Sequence, residues 1–294
     1  MRKLKAIIRG LRPHQWFKNT FLYAGVFFAG EFLHVDMIVK ATLGFVAFCL
    51  LSSGIYYLND IIDVEADRAH PDKRKRPIAS GEISIPLAAV IAAVLLVGGG
   101  GVSLLIGMNF IYFALGYVGI QLLYVFLFKR QPILDILTVA SGFVIRAAAS
   151  GAAVDVPISS WLLLCTSLLA LFLVTEKRRS ELARIESEES GHTSRPMLEH
   201  YSVRFLDNLA AIEVSATLVA YSFYVFSEDI FHRFGNHALG LSLPFVFYGL
   251  LRYLWLVQRE NKGESPTKVF LTDLASIINI VLWALTVFLI IYFS

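Results

Sequence analysis

A short acidic segment, residues 57–67, follows an apolar stretch and contains the residues best suited to chemistry. On a helix, the residues that fall within an arc of about 100° are Asn59, Asp60, Asp63 and Asp67. Glu65 would point away from this arc. Carboxylates this close repel each other unless cations neutralise them, and such oxygen ligands suit Mg²⁺ that also binds phosphate oxygens. The segment therefore predicts a metal–diphosphate site, with the three aspartates as catalytic metal ligands and Asn59 as a further ligand.

Basic side chains follow the acidic segment closely. They are Arg68, Lys73, Arg74, Lys75 and Arg76. Since arginine and lysine bind phosphate oxygens, Lys73, Arg74 and Arg76 are predicted to contact a substrate phosphate. The alternative is a helix end whose acids simply pair with these bases. The regular spacing of the aspartates favours the metal–diphosphate site.

A second polar segment, residues 175–184, ends a later apolar stretch and contains no aspartate. On a helix, Lys177, Glu181 and Arg184 would share one face. Arg178 would lie at the edge of that face. Because the face is mainly basic, it indicates phosphate binding by Lys177, Arg178 and Glu181 rather than a second metal. Acids in the first segment and bases in the second indicate one substrate with phosphate at both ends, or two phosphorylated substrates.

The elements that must position these residues are membrane-spanning helices. Of the 294 residues, 56% are hydrophobic and 17% charged, against about 45–50% and about 25% in soluble proteins. Apolar blocks long enough to cross a bilayer predict nine helical spans: 19–34, 38–61, 87–106, 109–128, 133–150, 158–175, 207–227, 238–258 and 271–293. This pattern predicts an all-α integral membrane protein and excludes a soluble enzyme, a secreted disulfide scaffold and a disordered chain.

The distribution of lysine and arginine predicts the orientation of the spans. Of the 26 basic residues, 23 fall on the side of the N-terminus, whereas only Lys40 and Arg233 fall on the opposite side. Since cytoplasmic loops carry such an excess, the N-terminus is predicted to be cytoplasmic and, after nine spans, the C-terminus external. The two longest loops, 62–86 and 176–206, would then cap a cytoplasmic active site in a single domain, residues 1–294.

Four more polar residues near or within the predicted spans are candidate substrate contacts. Lys18 and Asn19 begin the first span, where they could contact a phosphate, although a lysine at this edge also suits a purely interfacial position. Asp135 lies near the cytoplasmic end of the fifth span and could join the metal or sugar site. Arg146 lies near mid-membrane, where an ionisable side chain indicates function. Its alternative role is to satisfy backbone carbonyls or Glu213.

The motif Asn59-Asp60-x-x-Asp63-x-x-x-Asp67 resembles the first aspartate-rich motif of the UbiA superfamily of intramembrane prenyltransferases. The resemblance implies nine helices around a lipid-accessible cavity, with a Mg²⁺-bound diphosphate at the cytoplasmic end. Aromatic prenyltransferases of this superfamily carry a second aspartate-rich motif, which residues 175–184 do not match. The departure favours a different substrate.

Three further motifs resemble the branch of the superfamily that transfers phosphoribosyl groups to polyprenyl phosphates. They are Arg12-Pro13-x-Gln15-Trp16-x-Lys18-Asn19, Asp67-Arg68-x-His70-Pro71-x-Lys73-Arg74-x-Arg76-Pro77-Ile78-Ala79-x-Gly81 and Lys177-Arg178-Arg179-x-Glu181-Leu182, followed by Tyr201. The resemblance implies a Mg²⁺-dependent pentosyltransferase of the bacterial inner membrane. It would move a 5-phosphoribosyl group from phosphoribosyl diphosphate to a decaprenyl-type phosphate, release diphosphate and supply a pentose donor for the cell envelope. It also adds Tyr201 to the substrate contacts.

Two other functions are weighed against this one. An aromatic prenyltransferase would use a polyprenyl diphosphate donor, and the basic second segment argues against it. A transporter would need ionisable residues along a path between both faces, whereas here they crowd the cytoplasmic end. The expected partners are therefore phosphoribosyl diphosphate, a polyprenyl phosphate lipid and the membrane, with no nucleic acid; self-association of the chain is left open.

Overall fold

The computed structural model describes residues 2–187, 196–260 and 272–293, which contain helices, turns and no strand. The α-helices are α1 (Arg2–Leu11), α2 (Ala24–Ala29), α3 (Val35–Ile62), α4 (Val64–Ala69), α5 (Ile85–Ile106), α6 (Met108–Phe126), α7 (Leu134–Val154), α8 (Ser160–Ser187), α9 (Val203–Val225), α10 (Glu228–Phe234), α11 (Leu243–Glu260) and α12 (Leu274–Phe293). The predicted all-α fold is confirmed.

Eight helical segments of the described chain are long and apolar enough to cross a membrane. They are built on α3, α5, α6, α7, α8, α9, α11 and α12. Many apolar side chains on them are exposed, such as Val97 of α5 at 76% and Leu105 at 79%. Exposure of this kind is expected where the solvent is lipid rather than water. The protein is therefore a multi-pass membrane protein, as predicted.

The first predicted span, 19–34, is wrong as a long α-helix. Pro13–Tyr23 forms a 3-10 helix instead, which continues into the six-residue α2. Arg12 ahead of it and Gly30 behind it both adopt left-handed backbone conformations, with φ of 54° and 78°, which stop regular α-helix on either side. A 3-10 helix rises by about 2.0 Å per residue, so the two pieces together keep a length of at most about 31 Å without forming a single helix.

The sixth predicted span, 158–175, continues well beyond its predicted end. The helix runs from Ser160 to Ser187, because lysine, arginine and glutamate are good helix formers and nothing in residues 176–187 breaks the pattern. The basic segment 175–184 therefore lies on α8 rather than in a loop. Residues 188–195 of the predicted loop 176–206 lie outside the described chain.

The acidic segment is divided between α3 and α4, with Asp63 at the junction. Helical hydrogen bonding nevertheless passes through it. The backbone N–H of Asp63 donates to the carbonyl of Asn59 at 2.9 Å, and that of Asp67 donates to the carbonyl of Asp63 at 2.8 Å. The four residues thus keep a nearly helical spacing.

The chain divides into two compact units. Unit 1 comprises Met1–Gln131 and Ser141–Ile158, and unit 2 comprises Pro132–Ala140 and Ser159–Ser294. Each carries one of the two polar segments, the acidic one in unit 1 and the basic one in unit 2. A single functional domain capped by two loops stays a prediction.

Unit 1 is held together by close packing of α3 on α5. Two glycines allow this approach: a Cβ at Gly54 would lie 2.8 Å from Leu96, and one at Gly99 would lie 2.7 Å from Leu51. Within the run of glycines at 98–101, only Gly99 has a contact this close. Small residues at helix contacts are typical of membrane bundles. The packing holds the end of α3, with its acidic segment, in a defined position.

Unit 2 is built on α8, α9, α11 and α12. Its core includes Phe172 and Tyr253, whose rings meet edge to face at 5.5 Å. A second apolar cluster, containing Ile136, Leu182 and Leu206, lies around the basic part of α8. The apolar packing therefore reaches the same turns of helix that carry the basic segment.

Candidate functional site

Two of the three predicted catalytic aspartates form a buried pair bridged by one arginine. Asp60 and Asp67 are each only 3% exposed. One guanidinium nitrogen, Arg76 Nη1, donates to Asp60 Oδ1 at 3.0 Å and to Asp67 Oδ2 at 2.7 Å. Arg12 also donates to Asp60 Oδ1. The structure thus pairs these acids with bases in unit 1, as in the alternative weighed for this segment, and the metal and phosphate contacts of these residues stay predictions.

The third aspartate, Asp63, is half-buried and pairs with a different basic side chain. Lys129, in the turn after α6, donates from Nζ to Asp63 Oδ1 at 2.5 Å. Lys129 and Arg12 were not among the predicted site residues. A signal for both was available, because each lies in a segment predicted to be on the same side of the membrane as the aspartates. Asn59 is half-buried on the last turns of α3, next to Asp60.

The remaining bases after the acidic segment differ in their positions. Lys73 is half-buried on a short 3-10 turn and acts electrostatically on Asp67. Arg74 is exposed on the same turn. Arg68 points elsewhere and pairs with exposed Glu65 at 2.7 Å. Burial raises the pKa of the Asp67 carboxyl above its ordinary value, while the charge of Arg76 acts in the opposite direction.

The chemistry of the donors fits a hard divalent cation. Two nearly fully buried carboxylates, Asp60 and Asp67, already share a single cationic group, and carboxylate oxygens are the ligands that Mg²⁺ prefers. In the described part of the chain, no three acidic, histidine or cysteine side chains are grouped closely enough to hold a metal between them. The basic side chains of Arg12, Arg76 and Lys129 contact the carboxylates instead.

The second polar cluster, in unit 2, centres on a buried ion pair between α8 and the start of α7. Arg178 Nε donates to Asp135 Oδ2 at 2.6 Å, with side-chain exposures of 2% and 1%. The same guanidinium donates to Glu181 Oε2 at 3.1 Å, and Lys177 Nζ lies 4.0 Å from Glu181 Oε1. The structure thus brings together four of the predicted substrate contacts.

Tyr201 joins this cluster and is the residue that ties it to the chain before α7. Its hydroxyl donates to Asp135 Oδ1 at 2.9 Å and accepts the backbone N–H of Ile133 at 2.5 Å. Burial raises the pKa of Tyr201 to about 12, so the hydroxyl keeps its proton at neutral pH and can donate it. Ile133 has φ of 67°, a left-handed conformation that costs about 1–3 kcal/mol for such a residue and persists where its surroundings hold it.

Asp135 has little capacity left to contact a substrate. The residue is fully buried, and its two carboxylate oxygens accept hydrogen bonds from Arg178 and Tyr201. These bonds orient Arg178 on α8, so a positioning role fits Asp135 better than a direct metal or sugar contact. Its predicted substrate contact stays a prediction.

Arg146 lies at the centre of a buried polar network in unit 1. Its guanidinium donates to Asn19 Oδ1 at 2.7 Å, to the carbonyl of Gly142 at 2.7 Å and to the hydroxyl of Tyr117 at 2.8 Å. Asn19 in turn donates to Ser52 at 3.4 Å. This arrangement matches the predicted alternative in which Arg146 satisfies a backbone carbonyl. Lys18 is half-buried beside Asn19 on the 3-10 helix.

Replacing Arg146 with leucine is expected to destabilise the folded protein by about 3 kcal/mol or more. The reason is that the buried acceptors on Asn19 and Tyr117 lose their donor, at about 1–3 kcal/mol each, while the carbonyl of Gly142 loses one of its bonds. The thermal midpoint in detergent measures the loss. Arg68→Leu, which removes an exposed arginine, serves as the control and should shift the midpoint little. Equal midpoints for the two variants would contradict a structural role for Arg146.

Two buried glutamates of unit 2 were not predicted as a group. Glu176 of α8 is fully buried, and neither of its carboxyl oxygens has a hydrogen-bond partner among the residues that the structure describes. Glu213 of α9 is 5% exposed and accepts the hydroxyl of Thr175 at 3.1 Å. A glutamate directly before a run of three bases was the available signal for Glu176. Buried carboxyls of this kind are costly and therefore notable.

Comparison with known proteins places the chain in a family. The family model of the UbiA prenyltransferase family matches residues 20–292. A decaprenyl-phosphate phosphoribosyltransferase of Mycolicibacterium smegmatis is 35% identical over 306 residues, covering 99% of this chain and 94% of the relative. A protein of the same name from Mycobacterium tuberculosis is 33% identical, covering 96% of this chain and 92% of the relative.

A solved structure agrees at the level of the fold. A UbiA homologue from Archaeoglobus fulgidus, bound to GPP and Mg²⁺, has a TM-score of 0.73 and 19% identity, with 97% of this chain and 99% of that chain covered. The family match covers nearly the whole chain, and the relatives match it along nearly their full length. The chain therefore belongs to the UbiA prenyltransferase family.

Proposed function

We propose that this protein transfers the 5-phosphoribosyl group of phosphoribosyl diphosphate to a polyprenyl phosphate and releases diphosphate. One observation carries the proposal: both the cluster of the acidic segment and the cluster of the basic segment hold cationic side chains against carboxylates, among them Arg76 in the first and Arg178 in the second. A prenyl diphosphate donor has a single charged group, but this reaction joins two substrates that both carry phosphate. The names of the mycobacterial relatives, at 33–35% identity, support the same activity.

The acidic cluster is proposed to bind the diphosphate of the donor together with Mg²⁺. Asp60, Asp63 and Asp67 would hold the ion, with Asn59 beside them. When bound, the ion supplies positive charge that stabilises the negative charge developing on the diphosphate. The structure from Archaeoglobus fulgidus, which shares the fold, is bound to GPP and Mg²⁺ and supports the use of a divalent metal.

Basic residues around the aspartates are proposed to bind the remaining phosphate charge. Arg76 and Arg12 contact Asp60, and Lys129 contacts Asp63. Cationic groups are therefore already present where the anionic diphosphate is proposed to bind. Lys73 and Arg74 lie on the turn that precedes Arg76. Holding the diphosphate in one orientation raises the rate, because the reacting groups no longer have to find the reactive orientation by diffusion.

The reaction itself needs no strong general base. A phosphate oxygen of the lipid attacks the anomeric carbon of the ribosyl group, and the bond from that carbon to the diphosphate oxygen breaks. The lipid phosphate is already an anion at neutral pH, so no proton has to be removed from it. The electron pair leaves with the diphosphate, whose binding residues stabilise it.

The basic cluster of unit 2 is proposed to bind a substrate phosphate. Lys177 and Arg178 supply the charge, while Asp135, Tyr201 and Glu181 orient the guanidinium. An arginine fixed in this way presents its donors in a planar fork, which suits a phosphate.

The location of the protein is proposed from its charges. With 23 of 26 basic residues on one side of the predicted spans, we place the N-terminus, both polar clusters and the substrates on the cytoplasmic side of a bacterial inner membrane. The C-terminus is proposed to be external. The product would be a lipid-linked pentose phosphate for cell-envelope synthesis.

A donor swap with the purified protein in detergent tests the proposed reaction. One mixture contains phosphoribosyl diphosphate, a polyprenyl phosphate and Mg²⁺; the other contains a polyprenyl diphosphate, 4-hydroxybenzoate and Mg²⁺. Mass spectrometry should find a phosphoribosylated lipid in the first mixture only. A prenylated aromatic product instead would establish the alternative, an aromatic prenyltransferase.

Removal of divalent metal is expected to abolish this activity. Without the ion, three carboxylates would face the diphosphate with only their basic partners to offset the charge. EDTA added to the first mixture should stop product formation, and an excess of Mg²⁺ should restore it. Full turnover in EDTA would contradict the metal assignment of Asp60, Asp63 and Asp67.

A further inference from the structure

Three buried polar residues of unit 2 form a group that we call the glutamate cluster: Glu176 and Ser180 on α8 and Glu213 on α9. Each is at most 5% exposed. Because Glu176 and Ser180 are four residues apart, their side chains lie on the same face of α8. Thr175, the residue before Glu176, donates its hydroxyl to Glu213 Oε1 at 3.1 Å. This hydrogen bond places Glu213 of α9 against the turn of α8 that carries Glu176.

Four oxygens of the glutamate cluster are buried and have no hydrogen-bond partner among the residues that the structure describes. They are both carboxyl oxygens of Glu176, the carboxyl oxygen Oε2 of Glu213 and the hydroxyl oxygen of Ser180. Burying a polar group without a partner is costly, and such groups in a native protein are typically satisfied by a bound water or ion. The cluster therefore indicates a ligand that these oxygens share.

The charges around the glutamate cluster favour a cation over water alone. Arg179, Asp207 and Glu213 all lie within electrostatic range of Glu176. Arg179 Nε donates to Asp207 Oδ1 at 3.0 Å, so its positive charge is shared with that carboxylate. With all three carboxylates ionised against one guanidinium, the surroundings of Glu176 carry two negative charges in excess. Buried ionised groups require compensation of such an excess.

The two bases that follow Glu176 on α8 are directed to other carboxylates. Arg178 donates to Asp135 at 2.6 Å and to Glu181 at 3.1 Å. Lys177 Nζ lies 4.0 Å from Glu181 Oε1. The positive charges of Lys177 and Arg178 therefore balance Asp135 and Glu181, and the excess at the glutamate cluster is left for a bound ion.

The ligands in the glutamate cluster suit an alkali-metal cation. Carboxylate and hydroxyl oxygens are hard ligands, which bind hard cations. Mg²⁺ demands a near-ideal octahedral shell and keeps several waters, for which a group of fully buried side chains leaves little room. In the described part of the chain, no three acidic, histidine or cysteine side chains are close enough to hold a metal between them. An alkali ion exchanges its water for protein oxygens more readily.

We propose that the glutamate cluster binds one alkali-metal cation between α8 and α9, with Glu176, Glu213 and Ser180 as its ligands. Tyr253 of α11 is fully buried and lies within electrostatic range of Glu176, so its hydroxyl adjoins the site. The ion supplies one positive charge, and a proton on one carboxyl removes the remaining excess. Because the basic segment continues from Glu176 along α8, the ion fixes the turns that carry it. The site is separate from the metal proposed for the acidic segment of unit 1.

Binding of radioactive Na⁺ tests the site. The purified protein is equilibrated in detergent with EDTA, which removes divalent ions, and Na⁺ that associates with the aspartates of unit 1 is common to all variants. We expect Glu176→Gln and Glu213→Gln each to bind one Na⁺ fewer per chain than the wild type. Glu186→Gln, which alters an exposed glutamate near the end of the same helix, is the matched control and should bind as the wild type does. Equal binding by the wild type and Glu176→Gln would overturn the proposal.

A thermal measurement on the unaltered protein covers the case in which these variants do not fold. Choline chloride in place of NaCl removes the alkali ion at equal ionic strength. Because an ion that binds only the folded state stabilises it, the thermal midpoint of the wild type should fall by about 5 °C or more and recover when Na⁺ is returned. Glu176→Gln, where it folds, should have the same midpoint in both salts. An unchanged midpoint of the wild type would overturn the proposal, since water alone would then satisfy the four oxygens.

Discussion

Asp60→Asn is expected to lower kcat by about 10²–10³-fold, the loss typical of removing one preorganised electrostatic group from an active site. Asp60 is 3% exposed and contacts both Arg12 and Arg76. The amide keeps the shape of the carboxyl but removes its charge. It therefore binds Mg²⁺ less tightly and no longer neutralises the charge of the two arginines. Phosphoribosyl transfer to a polyprenyl phosphate, followed by mass spectrometry, measures the effect.

The control for this prediction is Glu65→Gln on α4. The Glu65 side chain is 80% exposed and pairs with Arg68 rather than with the cluster, so its loss should leave kcat within about twofold of the wild type, as expected of an exposed ion pair. A normal thermal midpoint for Asp60→Asn would establish that the fold is intact. Wild-type turnover by that folded variant would remove Asp60 from the site.

Arg178→Leu is expected to cost about 3–5 kcal/mol of folding free energy, because it leaves the charge of Asp135 buried without its cation. Both side chains are at most 2% exposed, so solvent does little to screen the loss. Turnover should also fall, since the guanidinium is proposed to bind a substrate phosphate. The measurements are the thermal midpoint in detergent and the KM values for polyprenyl phosphate and phosphoribosyl diphosphate, one of which should rise.

A double variant separates the two roles of Arg178. In Arg178→Leu with Asp135→Asn the buried charge is gone, so most of the lost stability should return. The KM that rises in Arg178→Leu should remain high, because the guanidinium that binds the phosphate is still missing. Arg204→Leu, an exposed arginine at the start of α9, should affect neither quantity. Recovery of both stability and KM in the double variant would reduce Arg178 to a structural residue.

Much of the fold and the acidic site follows from local pattern. Apolar blocks long enough to cross a bilayer predict helices because no other open structure satisfies the backbone in lipid, and eight of the nine predicted spans are long helices. The spacing of Asp60 and Asp67 predicted a shared face, and Arg76 bridges them there. Both predictions depend only on local sequence: the spans on the length of one apolar block, and the shared face on the periodicity of one helix.

Other features required side chains far apart in the chain to meet. The pairing of Asp63 with Lys129 and the network of Arg146 with Asn19 join residues 66 and 127 positions apart, and helical spacing carries no information on such distances. The 3-10 helix Pro13–Tyr23 and the short α2 likewise lie where residues 19–34 were predicted as one span, because composition reports on burial in lipid and not on the type of helix.

The roles of Asp135 and Tyr201 depend most on tertiary structure. As residue types they suit substrate contacts, but the fold buries Asp135 between Arg178 and Tyr201, so its oxygens are occupied by the protein itself. The residue types and their spacing determine which charged groups lie on one face of a helix end, since helical periodicity and charge are local properties of the sequence. Packing settles which of those groups remain available to a ligand, because a buried carboxylate takes as partners whatever donors the neighbouring helices bring to it.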